Sequence, residues 1–158
     1  MTKWLKPHHP NPLRSKRAPL QRKQQPITHA ELLDILNDPN NKALILDVRD
    51  DDAQGGHIRG ACHFPESLWQ DSVVENGSVI GNYLLQVLFL IKDEKPNIII
   101  IHCMESAVRG PYSVELLQAY CKNVPIVLLK GGADQFIRKY YQTPYVVDYD
   151  NDIWGLDQ

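Results

Sequence analysis

The sequence predicts one α/β domain built on a mainly parallel sheet with helices on both faces, and three observations carry that prediction. Short apolar, β-branched runs at Ala43–Leu46, Asn97–Ile101 and Pro125–Leu129 have the length and composition of strands covered on both sides. Segments of helical period stand between and after them, so strand and helix alternate, the pattern that makes a parallel sheet. The 158 residues, 43% of them apolar, suffice for one domain with a real core and are too few for two.

In chain order, residues 1–26 carry seven basic side chains, no acidic one and five prolines, which predicts a basic, disordered arm. The remainder, with ten basic and nineteen acidic residues, is acidic and argues against nucleic acid as a partner. A capping box at Thr28 and Glu31 opens a first helix over His29–Leu36. A strand follows over Ala43–Arg49, placing Asp47 at its carboxyl end, and Asp50–Asp51–Asp52 reads as a solvated acidic run. The glycines from Gly55 to Gly60 match no nucleotide-binding pattern. Apolar residues Leu84, Leu85, Leu88 and Ile91 predict a helix over Ile80–Lys92. Another follows Gly131–Gly132 over Ala133–Tyr140. The core domain is expected over 27–144, with an acidic and aromatic extension over 145–158.

Chemistry concentrates in His102–Cys103–Met104–Glu105–Ser106–Ala107–Val108–Arg109–Gly110–Pro111. The preceding strand brings the chain out of the core, and Pro111 suits the start of a helix over Tyr112–Lys122. Five residues between Cys103 and Arg109 let the loop close into a ring whose backbone N–H groups, from Met104 to Arg109, bind a tetrahedral oxyanion. The helix N-terminus and the Arg109 guanidinium favour negative charge there and favour the thiolate of Cys103. Arg109 can grip two oxygens at once. Ser106 can donate to the sulfur or to a leaving anion. His102 is expected to bond backbone and stiffen the loop. In parallel sheets strand ends gather at one rim, so Asp47 and Cys103 should share it.

Cys62, Cys103 and Cys121 are odd in number and irregularly spaced, so the thiols are expected to be reduced, as in cytoplasm or nucleus. No apolar run approaches the roughly 18 residues that span a bilayer, and the N-terminal residues lack the apolar h-region of a secretory signal, so a soluble intracellular protein is expected. The adjacent Cys62–His63 and His102–Cys103 pairs point to opposite faces of their strands and predict no metal site.

Three separated segments resemble one superfamily. Leu46–Asp47–Val48–Arg49, the Gly55–Ala61 stretch with Phe64–Pro65, and Leu128–Leu129–Lys130–Gly131–Gly132 are similar to the framework of rhodanese-homology domains. The resemblance covers about residues 27–142 and implies a rhodanese-like fold. The Cys103-to-Pro111 loop resembles the longer loop of the M-phase inducer phosphatases and the rhodanese-fold arsenate reductases of eukaryotes, rather than the shorter one usual in sulfurtransferases. That implies attack by Cys103 on phosphorus or arsenic, with Arg109 and the loop amides stabilising the transition state. The M-phase inducer phosphatases carry Glu where Met104 and Val108 stand here. Glu105 is thus the nearest carboxyl on the loop, and as a loop-tip charge it is expected to face water. Asp47 matches a framework Asp expected to bond the loop. Val48 stands where some members carry a protective second Cys.

The leading expectation is a cysteine-dependent phosphatase for phosphotyrosine or dual-specificity substrates, working through a phosphocysteine without a cofactor. The first alternative is arsenate reduction, with glutathione and glutaredoxin supplying the resolving thiol. Cys121 is expected on the loop helix about 16 Å from the loop, too far to resolve an adduct. Sulfur transfer and a non-catalytic phospho-binding module are further alternatives. The expected substrate is a phosphoprotein or a small oxyanion, and no membrane partner is expected.

Overall fold

The computed structural model describes residues 25–69, 74–75, 78–79 and 82–157. The expected basic arm lies almost wholly outside the described residues, as do positions 80 and 81 at the start of the predicted middle helix. The chain order is α1 (His29–Asn37), β1 (Ala43–Asp47), a 3₁₀ turn (Asp51–Ala53), β2 (His57–Ile58), β3 (Cys62–His63), α2 (Glu66–Trp69), β4 (Val74–Glu75), β5 (Ser78–Val79), α3 (Asn82–Glu94), β6 (Ile98–His102), α4 (Arg109–Gln118), β7 (Ile126–Leu128), α5 (Gly132–Tyr140), β8 (Val146–Val147) and α6 (Asn151–Trp154).

The main sheet has the order β3-β1-β6-β7 and is parallel throughout. In it Asp47 pairs in register with His102. Side chains of period two sort the core into two layers. Ile45, Ile100 and Val127 face Leu32 of α1 and Phe136 and Ile137 of α5. Leu44, Leu46, Ile99, Ile101 and Ile126 face Trp69 of α2, Leu84 and Val87 of α3, and Leu117 of α4. Ile99, Ile100 and Ile101 are all fully buried, which is why β6 needs an unbroken β-branched run rather than an alternating one.

The capping box forms as the sequence predicts: Thr28 Oγ1 accepts from Glu31 N–H at 3.2 Å, and Glu31 accepts from Thr28 N–H at 2.8 Å. Several element boundaries differ from those the sequence predicts. β1 ends at Asp47, because the Arg49 side chain turns back onto Asp47 and the chain tightens into the 3₁₀ turn. The loop helix α4 begins at Arg109 and stops at Gln118, so Cys121 lies beyond its end, among the apolar residues beside Leu117. Residues 145–157 pack back on the domain. There β8 pairs antiparallel with β2, Asp150 N–H donates to Gly55 O, and Trp154 lies against the core. No helix among the described residues is long and apolar enough to cross a membrane.

Candidate active site

Cys103 is the first residue after β6, only 3% exposed, and its side chain joins the layer that faces α4. His102, one residue earlier, points to the other face. Helix α4 starts six residues on, and Gly110 in its first turn donates its N–H to Cys103 Sγ at 3.2 Å. A side chain at Gly110 would bring a Cβ within 2.7 Å of Leu128 Cδ1 and 3.5 Å of the sulfur. Glycine therefore lets the helix N-terminus, with its partial positive charge, approach the thiol.

The loop is held by its carbonyls and leaves its donors free. At the start of α5, Ala133 N–H donates to Cys103 O at 3.0 Å and Asp134 N–H to Met104 O at 2.8 Å. The first orphan amides of one helix thus fix the loop that opens another. Among the described residues, the five backbone N–H groups from Met104 to Val108 donate to no protein acceptor. Ser106 takes a positive φ of 57°, unusual outside glycine, and its buried hydroxyl has no partner. Glu105 is exposed. A tetrahedral anion beside Cys103 is the kind of ligand such a set of free donors can take.

Two buried or half-buried ion pairs border the loop. Arg109 Nη1 lies 2.9 Å from Asp52 Oδ1 and 3.3 Å from Asp50 Oδ2, and Nη2 lies 2.5 Å from Asp52 Oδ2. Hydrogen bonding to Asp52 pushes the Arg109 pKa upward and, in return, holds Asp52 below the ordinary carboxylate range. Arg49, fully buried, donates Nη2 to Asp47 Oδ2 at 2.6 Å and to Gly56 O at 2.9 Å. Burial alone would raise the Asp47 pKa, but the Arg49 hydrogen bonds and the Arg49 charge outweigh it and leave it lowered.

His102 is fully buried, with Nδ1 3.1 Å from Cys103 O and 4.0 Å from Asp47 Oδ1. Burial lowers its pKa despite Asp47. The neutral ring therefore meets Asp47 as a dipole rather than as an ion.

The structure brings Cys103, the loop amides, Arg109 and His102 together at the rim where the sequence puts them. It corrects two expectations. Asp47 makes no hydrogen bond to the loop, because the buried Arg49 two residues away requires its charge. The acidic run is not simply solvated, since Asp50 and Asp52 hold Arg109. Asp50, Asp52 and Gly132 stand out in the sequence only as an acidic run and a framework glycine, not as parts of the site. The clue to the aspartates was their place just past a strand end on the same rim as an arginine. Beside the loop lies a cavity of about 390 Å³, bordered by Asp51, Asp52, Gln54, Met104, Ile153 and Trp154, so the C-terminal segment helps to shape the approach.

The family model of the Rhodanese-like domain matches residues 28–139, and the chain belongs to that family. Two structures of the yeast protein Ygr203w from Saccharomyces cerevisiae are similar to it. One, described as a protein tyrosine phosphatase of the rhodanese family, has a TM-score of 0.66 at 22% identity, covering 82% of this chain and 96% of that one. The other, described as a homolog of single-domain rhodanese and the Cdc25 phosphatase catalytic domain, has a TM-score of 0.69 at 23% identity, covering 82% and 91%. An As-Sb reductase from Leishmania major matches with a TM-score of 0.56 at 24% identity, covering 78% and 85%. At these identities the likeness establishes the shared fold. No curated protein sequence matches significantly.

Proposed function

We propose that the protein is a cysteine-dependent phosphatase acting on phosphotyrosine or dual-specificity phosphoprotein substrates through a phosphocysteine. The observation that carries this reading is the run of five backbone N–H groups, Met104 to Val108, that donate to no protein acceptor, directly following a sulfur that itself accepts the Gly110 N–H. Oxyanion donors of this kind act where charge develops, and each contributes about 10²–10³ in rate where it has been removed. The cavity beside Met104 offers room for an organic leaving group, which inorganic arsenate would not use. The fold is shared with a yeast protein tyrosine phosphatase and with an As-Sb reductase alike, so the choice between them rests on the site.

In the first step the Cys103 thiolate attacks phosphorus in line, the S–P bond forms and the P–O bond to the leaving group breaks. The loop carries no carboxyl at Met104 or Val108, so the departing oxygen takes its proton from solvent and good leaving groups are favoured. In the second step water attacks phosphorus, the S–P bond breaks, inorganic phosphate leaves and the thiolate is restored.

The test is the initial rate of phosphate release from an aryl phosphate in reducing buffer, with Cys103→Ser as control. Turnover abolished by the substitution supports the proposal. No turnover above the control, together with arsenate reduction dependent on glutathione and glutaredoxin, would overturn it in favour of the reductase.

A further inference from the structure

We propose that Asp52, backed by Asp50, is a positioning residue for oxyanion capture: it ties the outer edge of the Arg109 guanidinium and leaves the Nε edge for the ligand in the Cys103 loop. This rests on the phosphatase reading of that site and adds residues to it. A guanidinium has five N–H donors arranged along two edges that each suit a planar or tetrahedral anion. In this chain both carboxylate oxygens of Asp52 sit on Nη1 and Nη2, at 2.9 and 2.5 Å, and Asp50 shares Nη1 at 3.3 Å. Arg109 Nε has no partner among the described residues. One edge is therefore taken and the other is open.

The carboxylates are themselves anchored, which a casual surface pair would not be. Asp50 N–H donates to Asp52 Oδ1 at 2.9 Å, and Ser67 N–H, in α2, donates to Asp50 Oδ1 at 3.1 Å. The backbone bond from Ala53 N–H to Asp50 O closes the 3₁₀ turn that spaces the two acids. Of the other cations nearby, Arg49 is committed to Asp47, Gly56 O and the Asp52 backbone carbonyl, and Arg138, which borders the same cavity, to Asp134, so neither is bonded to the Asp52 carboxylate. An arginine side chain has many rotamers, and a ligand that must first order it binds less tightly. Anchoring the outer edge removes that cost before the ligand arrives. Both acids are held ionised: Asp52 chiefly by the Arg109 hydrogen bonds, and Asp50 by the Ser67 and Arg109 hydrogen bonds working against burial. An ionised carboxylate is a tether for Arg109 and a poor proton donor. Asp50 and Asp52 thus hold Arg109, while Asp51 only borders the neighbouring cavity that Asp52 also lines.

The experiment measures tungstate binding by titration calorimetry, with circular dichroism to confirm folding, for the wild type, Asp52→Asn and Asp52→Glu. It is paired with kcat/KM on two aryl phosphates whose leaving groups differ in basicity. Losing the tether should weaken tungstate binding about tenfold or more, the scale of a charge-assisted hydrogen bond. Asp52→Glu, which keeps the charge, should recover part of it. The loss in kcat/KM should be the same for both substrates. A loss much larger for the poorer leaving group would make Asp52 the general acid and overturn the inference. Tighter tungstate binding by Asp52→Asn would make Asp52 a competitor of the ligand and overturn it also. Unchanged binding would overturn it alone, whereas a wild type that binds no tungstate would remove the phosphatase reading as well.

Discussion

Gly132→Ala should damage this protein more than any other single methyl group added at a positive φ. Gly132 has φ +62°, and a Cβ there would lie 2.4 Å from Met104 O and 2.7 Å from Cys103 O. Those carbonyls accept from Asp134 and Ala133 at 2.8 and 3.0 Å, so the methyl group must push α5 off the loop it holds. The left-handed conformation costs a residue with a side chain about 1–2 kcal/mol, and two weakened hydrogen bonds add about 1 kcal/mol each. The sum is about 3–4 kcal/mol. Gly60→Ala is the matched control, with φ +85° and nothing within 4 Å of the added atom, and should cost only the conformational part. In urea denaturation with a slope of about 2 kcal/mol per molar, the two midpoints should differ by about 1 M. Displacing the loop should also lower kcat/KM on an aryl phosphate about 10²-fold, which Gly60→Ala should not do. Equal midpoints for the two variants would refute the claim that α5 clamps the Cys103 loop.

Two further predictions concern stability. Thr28→Ala removes the capping hydroxyl at the head of α1 and should cost about 1 kcal/mol, read as a midpoint shift with unchanged turnover. His102 is buried with its pKa lowered, so the unfolded chain binds a proton that the folded chain refuses. Stability should therefore fall as pH drops through about 6.5 toward the folded value, and urea midpoints for His102→Asn should lose that part of the slope. An identical pH slope in the variant would show that His102 is not the group refusing the proton.

Much of the architecture was legible because it rests on local pattern. The all-apolar runs of β1, β6 and β7 announce strands buried on both faces, and Thr28 with Glu31 announces the start of α1. Cys103 and Arg109 were legible because their spacing and the Gly110–Pro111 helix start are local as well. What was not legible depends on which way side chains turn and on groups distant in sequence. That Asp52 meets Arg109, 57 residues on, and that Asp47 is claimed by Arg49 rather than by the loop, follows from which charges the rim brings together. The role of Gly132 appears only once α5 lies against Cys103 O and Met104 O. The return of β8 onto β2 had no signal, since a two-residue strand is too short to show a period.

The central claim is that Cys103 is the nucleophile of a two-step phosphoryl transfer. Its most direct test is an acid quench during turnover of an aryl phosphate, followed by mass spectrometry of the peptide that contains Cys103. The account predicts a phosphate adduct on Cys103 that is lost on Cys103→Ser and appears on neither Cys62 nor Cys121. Turnover without any adduct on Cys103, or an adduct that survives the substitution, would contradict it.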